Sequence, residues 1–359
     1  MGINQIIIYI MVIFAVLGAL DRMIGNKFGL GERFEEGIKA IGVLAMSMIG
    51  MISLAPVLAN ILEPVVVPVF QFLGADPAMF IGAILANDMG GAPLAQALAL
   101  DADAGNFGGL IVGAMLGVTI VFTIPAVLGI ARKEDRKYIA TGIMAGVITV
   151  PIGAAAGGLA AGYSVVMILS NLLPILLIAL LIAFGLWKFE NAMIKGFTWF
   201  GNIIVVLITV GLIAGIVEHL TGIVVIPGMT PIEEGFAAVA EIGMVLAGAF
   251  PMVHVLTKVC KKPLMKVGSL LHINEVGAAG MVASLANSIP MFGMLKDMDN
   301  RGKVINMAFA TSAAFVFGDH LGFTAGFCVD MVFPMIVGKL VGGISAVVVA
   351  VFMIRKETK

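Results

Sequence analysis

L-A-N-D-M-G-G, residues 85–91, sets an ionisable side chain, Asp88, inside a tract that holds no lysine or arginine from residue 40 to residue 131. A carboxylate is costly in hydrocarbon, so an acid in that setting faces a wet cavity and marks a solute or proton path. Gly90, Gly91 and Pro93 break helices, and a broken helix inside a membrane leaves backbone N–H and C=O groups for the cavity to satisfy. Two later stretches echo this one. L-A-N recurs at 285–287, and F-G-D-H-L-G-F at 317–323 embeds a second acid, Asp319.

The residues around these breaks fix the class. Hydrophobic residues are 60% of the 359 and charged residues 12%, with mean hydropathy +1.11, against roughly 45–50% apolar and ~25% charged in soluble domains. The expected fold is therefore all-α, a polytopic membrane protein. Its 45 glycines and 24 methionines suit close helix packing and irregular gap filling. A net charge of −1, with the basic residues gathered in a few loops, excludes a nucleic-acid partner. Neither Cys260 nor Cys328 has C-x-x-C or metal-ligand spacing, so both are expected as free thiols, with no metal and no cofactor. The M-G-I-N start lacks a basic n-region and a cleavage site, so 3–20 should stay as a membrane helix.

About 20 apolar residues span a bilayer, and lysine and arginine mark the cytoplasmic side. Arg22, Lys27, Arg33 and Lys39 follow the first span, which places the N-terminus outside. Nine full crossings are expected, at 3–20, 38–55, 107–130, 138–163, 164–187, 199–219, 236–256 and 304–326, then a last helix returning to Arg355, Lys356 and Lys359 inside. Two hairpins complete the parity. One lies at 56–105, interrupted by Pro56, Pro64, Pro68, Pro77, Gly90-Gly91 and Pro93; the other lies at 264–295.

The second half repeats the first. F-E-E-G at 34–37 matches I-E-E-G at 232–235, Ala55-Pro56 matches Phe250-Pro251, and Glu63-Pro64 matches Lys262-Pro263. L-A-N matches at Leu85 and Leu285, and F-T at Phe122-Thr123 and Phe323-Thr324, all in order and about 200 residues apart. The basic loops change sides between the copies, as two inverted-topology repeats with Pro/Gly-broken hairpins require. The chain accordingly divides into an N-terminal helix (1–31), repeat one (32–130), connecting helices (131–229), repeat two (230–326) and a C-terminal helix with a short cytoplasmic tail (327–359).

Asp88, Asp319 and Glu275 are the acids deepest in the repeats. For Asp88 the alternative is a helix N-cap, and for Glu275 in H-I-N-E-V-G it is a hairpin turn near the cytoplasmic surface. Asn87 and Asn287 hold matching places, as do Thr123 and Thr324, and their amides and hydroxyls can serve unwound backbone or a ligand hydroxyl; a threonine can also bond back to its own helix. His320 stands beside Asp319, where it either tunes the acid or bonds locally. Lys339 falls within the last apolar tract, to snorkel or to pair with Asp330. H-E-x-x-H, G-x-S-x-G, Walker A and a post-strand G-x-G-x-x-G are all missing, so an enzyme is not expected. The rival enzyme reading is an intramembrane aspartyl protease built on Asp88 and Asp319, which would need carboxylates sharing a proton. The residues before Asp319, Val316-Phe317-Gly318, give only half of the usual G-x-G-D.

R-F-E-E-G at 33–37, L-A-P-V-L-A at 54–59, D-M-G-G at 88–91, M-V-A-S-L-A-N-S-I-P-M-F-G-M at 281–294, R-G-K-V-I-N at 301–306 and G-D-H-L-G-F at 318–323 run nearly end to end. In these the chain resembles the EutH family, the ethanolamine permeases of bacterial ethanolamine-utilisation operons. The resemblance implies uptake of ethanolamine across the bacterial inner membrane for breakdown to ammonia and acetaldehyde. The chemistry suits it, because a carboxylate answers an ammonium and Asn or Thr answers a hydroxyl. The expectation is a lipid-embedded permease working by alternating access at Asp88, with Asp319, Asn87, Asn287, Thr123, Thr324 and Glu275 completing the site. A passive channel is the other transport reading, protons are the candidate coupling ion and a homodimer the candidate assembly.

Overall fold

The computed structural model describes residues 2–357, without the side chains of 260–262, 264 and 355–357. The expected thiol of Cys260 and the basic markers Lys261, Lys262, Arg355, Lys356 and Lys359 thus lie outside the described side chains; Cys328 is a free thiol. Among the described residues every regular element is helical, and eight helices are long and apolar enough to cross a membrane, which makes this a multi-pass membrane fold.

Helix α1 (Ile3–Met23) leads into α2 (Leu30–Phe72), which runs unbroken for 43 residues through Pro56, Pro64 and Pro68. At 1.5 Å per residue that is roughly 65 Å, about twice the ~30 Å hydrocarbon core. The hairpin expected from Pro56 therefore starts later, at α3 (Ala78–Ile84), and turns through a 3-10 segment (Asn87–Met89) into α4 (Gly91–Leu98). The reason is the solvent: each proline forfeits one helical bond, whereas a true break in lipid strands several backbone groups at once.

Next, α5 (Ala102–Asn106) passes through π-helical segments, Phe107–Gly117 and Thr119–Thr123, into α6 (Ile124–Ile130). Then follow α7 (Arg136–Ala160), α8 (Val165–Lys188) and α9 (Glu190–Thr221). The later part of the chain has another long Pro-containing helix, α10 (Ile232–Leu270), and another hairpin, α11 (Glu275–Ala286) and α12 (Ser288–Met294). The crossing expected as one helix over 304–326 is instead two, α13 (Asn300–Ala313) and α14 (Asp319–Phe327), before α15 (Val332–Glu357) closes the chain. That break is tolerated because its backbone is satisfied from outside: Phe315 N–H donates to the Ser284 carbonyl and Phe317 N–H to the Leu285 carbonyl, each at 2.9 Å.

The long helices pair antiparallel. On α2, Gly37, Ile41 and Ile49 meet Leu246, Gly243 and Gly235 of α10 in descending order. On α7, Gly153 and Gly157 meet Gly342 and Pro334 of α15 in the same sense. Glycines at these crossings let backbones approach, which is how helices gain packing energy where lipid supplies no hydrophobic drive.

Polar ties close the hairpin feet. Asp76 accepts from the N–H groups of Ala78, Leu100 and Asp101 at 2.8, 2.9 and 3.1 Å, which joins the start of the first hairpin to its end. Asp299 does this for the second, accepting from Gly302 N–H at 3.1 Å and Asn274 N–H at 3.3 Å. Nearby, Lys303 of α13 meets Asp135, just before α7, at 2.6 Å with side chains only 10% and 4% exposed. Removing one member of a buried pair leaves an uncompensated charge, so Lys303→Met should cost about 3–5 kcal/mol. Asp135→Leu/Lys303→Met should return close to wild type. Apparent Tm in detergent of the single and double variants tests this, and a double variant no more stable than the single would refute it.

Candidate functional site

The site is built where two chain breaks come together. The first is the Asn87–Met89 turn between α3 and α4, which packs on α2 and α14. The second is 314–318, between α13 and α14, where Phe315 holds φ +62°. For a bulky residue that is an outlier costing on the order of 1–3 kcal/mol, and such strain clusters at functional sites. The two hairpins are crossed alike: Gly117 of the π-helical stretch lies on the Leu85 carbonyl, and Gly318 lies on the Ala286 carbonyl, neither with room for a Cβ.

Asp88, Asp319 and His320 line one cavity of about 210 Å³, walled by Phe122 and Phe315 and by Ser47 of α2. At ~30 Å³ per water, that volume holds a small amine with a few waters. The Phe122 and Phe315 rings meet edge to face at 5.7 Å. His320 is buried, its ring 5.2 Å from that of Phe315; its Nε2 stands 3.8 Å from Asp88 Oδ1, beyond hydrogen-bonding reach. Its Nδ1 has no partner among the described residues.

Asp319 also lines a second cavity, of about 340 Å³, with Asn287, His254, Arg33 and Glu36. Arg33 Nη1 meets Glu36 Oε2 at 2.6 Å there. One carboxylate thus belongs to both chambers.

The helix-cap alternative for Asp88 does not hold: Gly90, left-handed at φ +82°, is the cap of α4, and no side chain caps that helix. Asn87, beside it, is wholly buried, and neither of its polar atoms has a partner among the described residues. Asn287 caps α12, accepting from Ile289 N–H at 2.9 Å, while facing the larger cavity. Thr123 and Thr324 are buried with unpartnered hydroxyls. Neither lines either of these two cavities, although Phe122 beside Thr123 lines the smaller. Glu275 is not brought to the site. It is exposed in the first turn of α11, after the cap Asn274, where an acid favours the helix dipole.

Lys339, which the sequence led us to expect either snorkelling or pairing with Asp330, does neither. Its side chain is 1% exposed, and its Nζ donates to the Ala114 carbonyl in the π-helical segment. The signal was present, since a lone lysine deep in an apolar tract is as costly as a lone acid. Phe315 gave no sequence signal at all. The cavity can therefore hold a small cation against carboxylates, with aromatic faces beside it.

The ethanolamine utilisation protein EutH family model matches residues 3–353. The chain is 63% identical over 359 residues to the probable ethanolamine permease EutH of Listeria monocytogenes, covering 100% of this chain and 96% of that one. It is 49% identical over 395 residues to the protein of that description in Salmonella typhimurium, covering 99% and 97%, and 51% identical over 353 residues to the uncharacterized protein YxeR of Bacillus subtilis, covering 98% and 95%. No solved structure matches the chain.

Proposed function

This chain belongs to the EutH ethanolamine utilisation protein family, and from that premise we propose that it imports ethanolamine by alternating access at the Asp88–Asp319 cavity. The observation that carries the mechanism is Asp319, which lines both chambers. The ammonium enters beside that carboxylate and settles against Asp88, with Asn287 of the larger cavity and the unpartnered amide of Asn87 next to Asp88 as the candidate partners for the hydroxyl. Burying an ammonium needs such partners, because charge-assisted bonds offset lost hydration.

The repeats, 32–130 and 230–326, supply the moving parts. Their inverted relation is supported by the antiparallel pairing of α2 with α10 and by the collinear sequence matches. In that arrangement each repeat offers one hairpin to the site, and rocking of one against the other switches the exposed side. The membrane is the bacterial inner membrane, with the N-terminus outside and the basic end of α2, and so the larger chamber, towards the cytoplasm. His320, close to Asp88, is the group through which protons would couple.

Proteoliposomes test this directly. Uptake of labelled ethanolamine should saturate and should accelerate when unlabelled ethanolamine is loaded on the opposite side. Uptake linear in concentration and indifferent to trans-loading would sink alternating access in favour of a channel. A pH gradient applied in either direction should change the initial rate if protons are coupled.

A further inference from the structure

We propose that the larger cavity is a second binding station for a small hydroxylated amine, with Glu36 as the acceptor of its ammonium. This rests on the ethanolamine-binding reading and adds to it a station that loads independently of Asp88.

Each of the two cavities is built at the turn of one hairpin. The smaller has Asp88 and Met89 of the first turn in its wall, and the larger has Ala286 and Asn287 of the second. Both turns follow L-A-N, but where the first continues with Asp88 the second continues with Ser288. The second turn therefore brings no acid of its own. Helix α2 supplies one in its place, because Glu36 lines the larger cavity together with Asn287 and Asp319.

Glu36 has acceptor capacity to spare. It meets Arg33 Nη1 through Oε2 at 2.6 Å, whereas a carboxylate offers about four acceptor positions over its two oxygens. Arg33 is also shared, since Glu32 Oε2 stands 4.0 Å from its Nη2, so two acids flank one guanidinium. With the Glu36 side chain 43% exposed, an ammonium can reach it while keeping part of its hydration, which lowers the cost of binding there. The polar wall continues on α10. His254 stands beside the start of α2, its Nε2 3.6 Å from where a Cβ on Gly29 would lie, and that nitrogen has no partner among the described residues. A hydroxyl both donates and accepts, so it can answer an imidazole nitrogen in either tautomer or the amide of Asn287. At ~30 Å³ per water, the cavity of about 340 Å³ has room for a small amine and the waters that bridge it to these groups.

A second station predicts separable binding events. Equilibrium binding of labelled ethanolamine to detergent-purified full-length protein, carried to saturation, should show two events per chain. Glu36→Gln should weaken one of them by about fivefold, the upper range for a part-exposed ion pair, and leave the other within about twofold, as independent sites require. Asp88→Asn should do the reverse, weakening the event that Glu36→Gln spares. Saturation of wild type at one ethanolamine per chain overturns the proposal, as does a Glu36→Gln protein that binds like wild type or weakens both events alike. If Glu36→Gln does not fold, Asp88→Asn still decides: it must retain one event at wild-type affinity, and loss of all binding there refutes a separate station. Wild type that binds no ethanolamine removes the functional reading and this inference with it, a result distinct from saturation at a single site.

Discussion

Asp88→Asn is expected to lower kcat/KM for ethanolamine uptake by on the order of 100-fold, about 2.8 kcal/mol at 1.4 kcal/mol per decade. The change is nearly isosteric, so the cavity keeps its shape and loses only the charge that answers the ammonium. Truncating one partner of a buried, hydrogen-bonded charge pair typically costs about 2–5 kcal/mol, and here the unpaired partner would be the substrate. Asp88→Glu keeps the charge and should keep measurable uptake. Uptake assays on monodisperse variants at equal reconstitution levels decide it, and an Asp88→Asn protein as active as wild type would make Asp88 a bystander in its own cavity.

Gly117→Val should abolish uptake and lower the apparent Tm in detergent by roughly 10 °C, from an overpacking cost at or above the usual 1–3 kcal/mol. A Cβ at Gly117 falls on the Leu85 carbonyl, and the nearby Gly82 carbonyl blocks retreat. Backbone at a hairpin break has little freedom to yield, since its free groups are already committed. Displacing Leu85 would move Asp88 three residues on. Gly129→Val is the control, because a Cβ there meets nothing within 4 Å. If the two variants behave alike, the crossing of the π-helical segment over the hairpin does not set the site.

The sequence by itself determined the class of the molecule and the elements that carry its acids. Composition forced a helical membrane protein, because only helices satisfy every backbone group across lipid without closing a barrel. Asp88 and Asp319 stood out for the same energetic reason. Where local rules met lipid they misled: Pro56, Pro64 and Pro68 read as breaks, yet α2 continues through them, while 304–326 read as one helix and is two. At the second place the outcome depends on where the freed backbone groups find partners, and those partners are far away in sequence, as Ser284 and Leu285 are from Phe315 and Phe317. Only the tertiary structure decided that Asp319 would line two cavities, that Glu275 would stay at an exposed helix start, and that Lys339 would be buried on the Ala114 carbonyl rather than reach a surface. An ionisable residue in an apolar tract announces its cost in the sequence, but what offsets that cost is set by long-range packing.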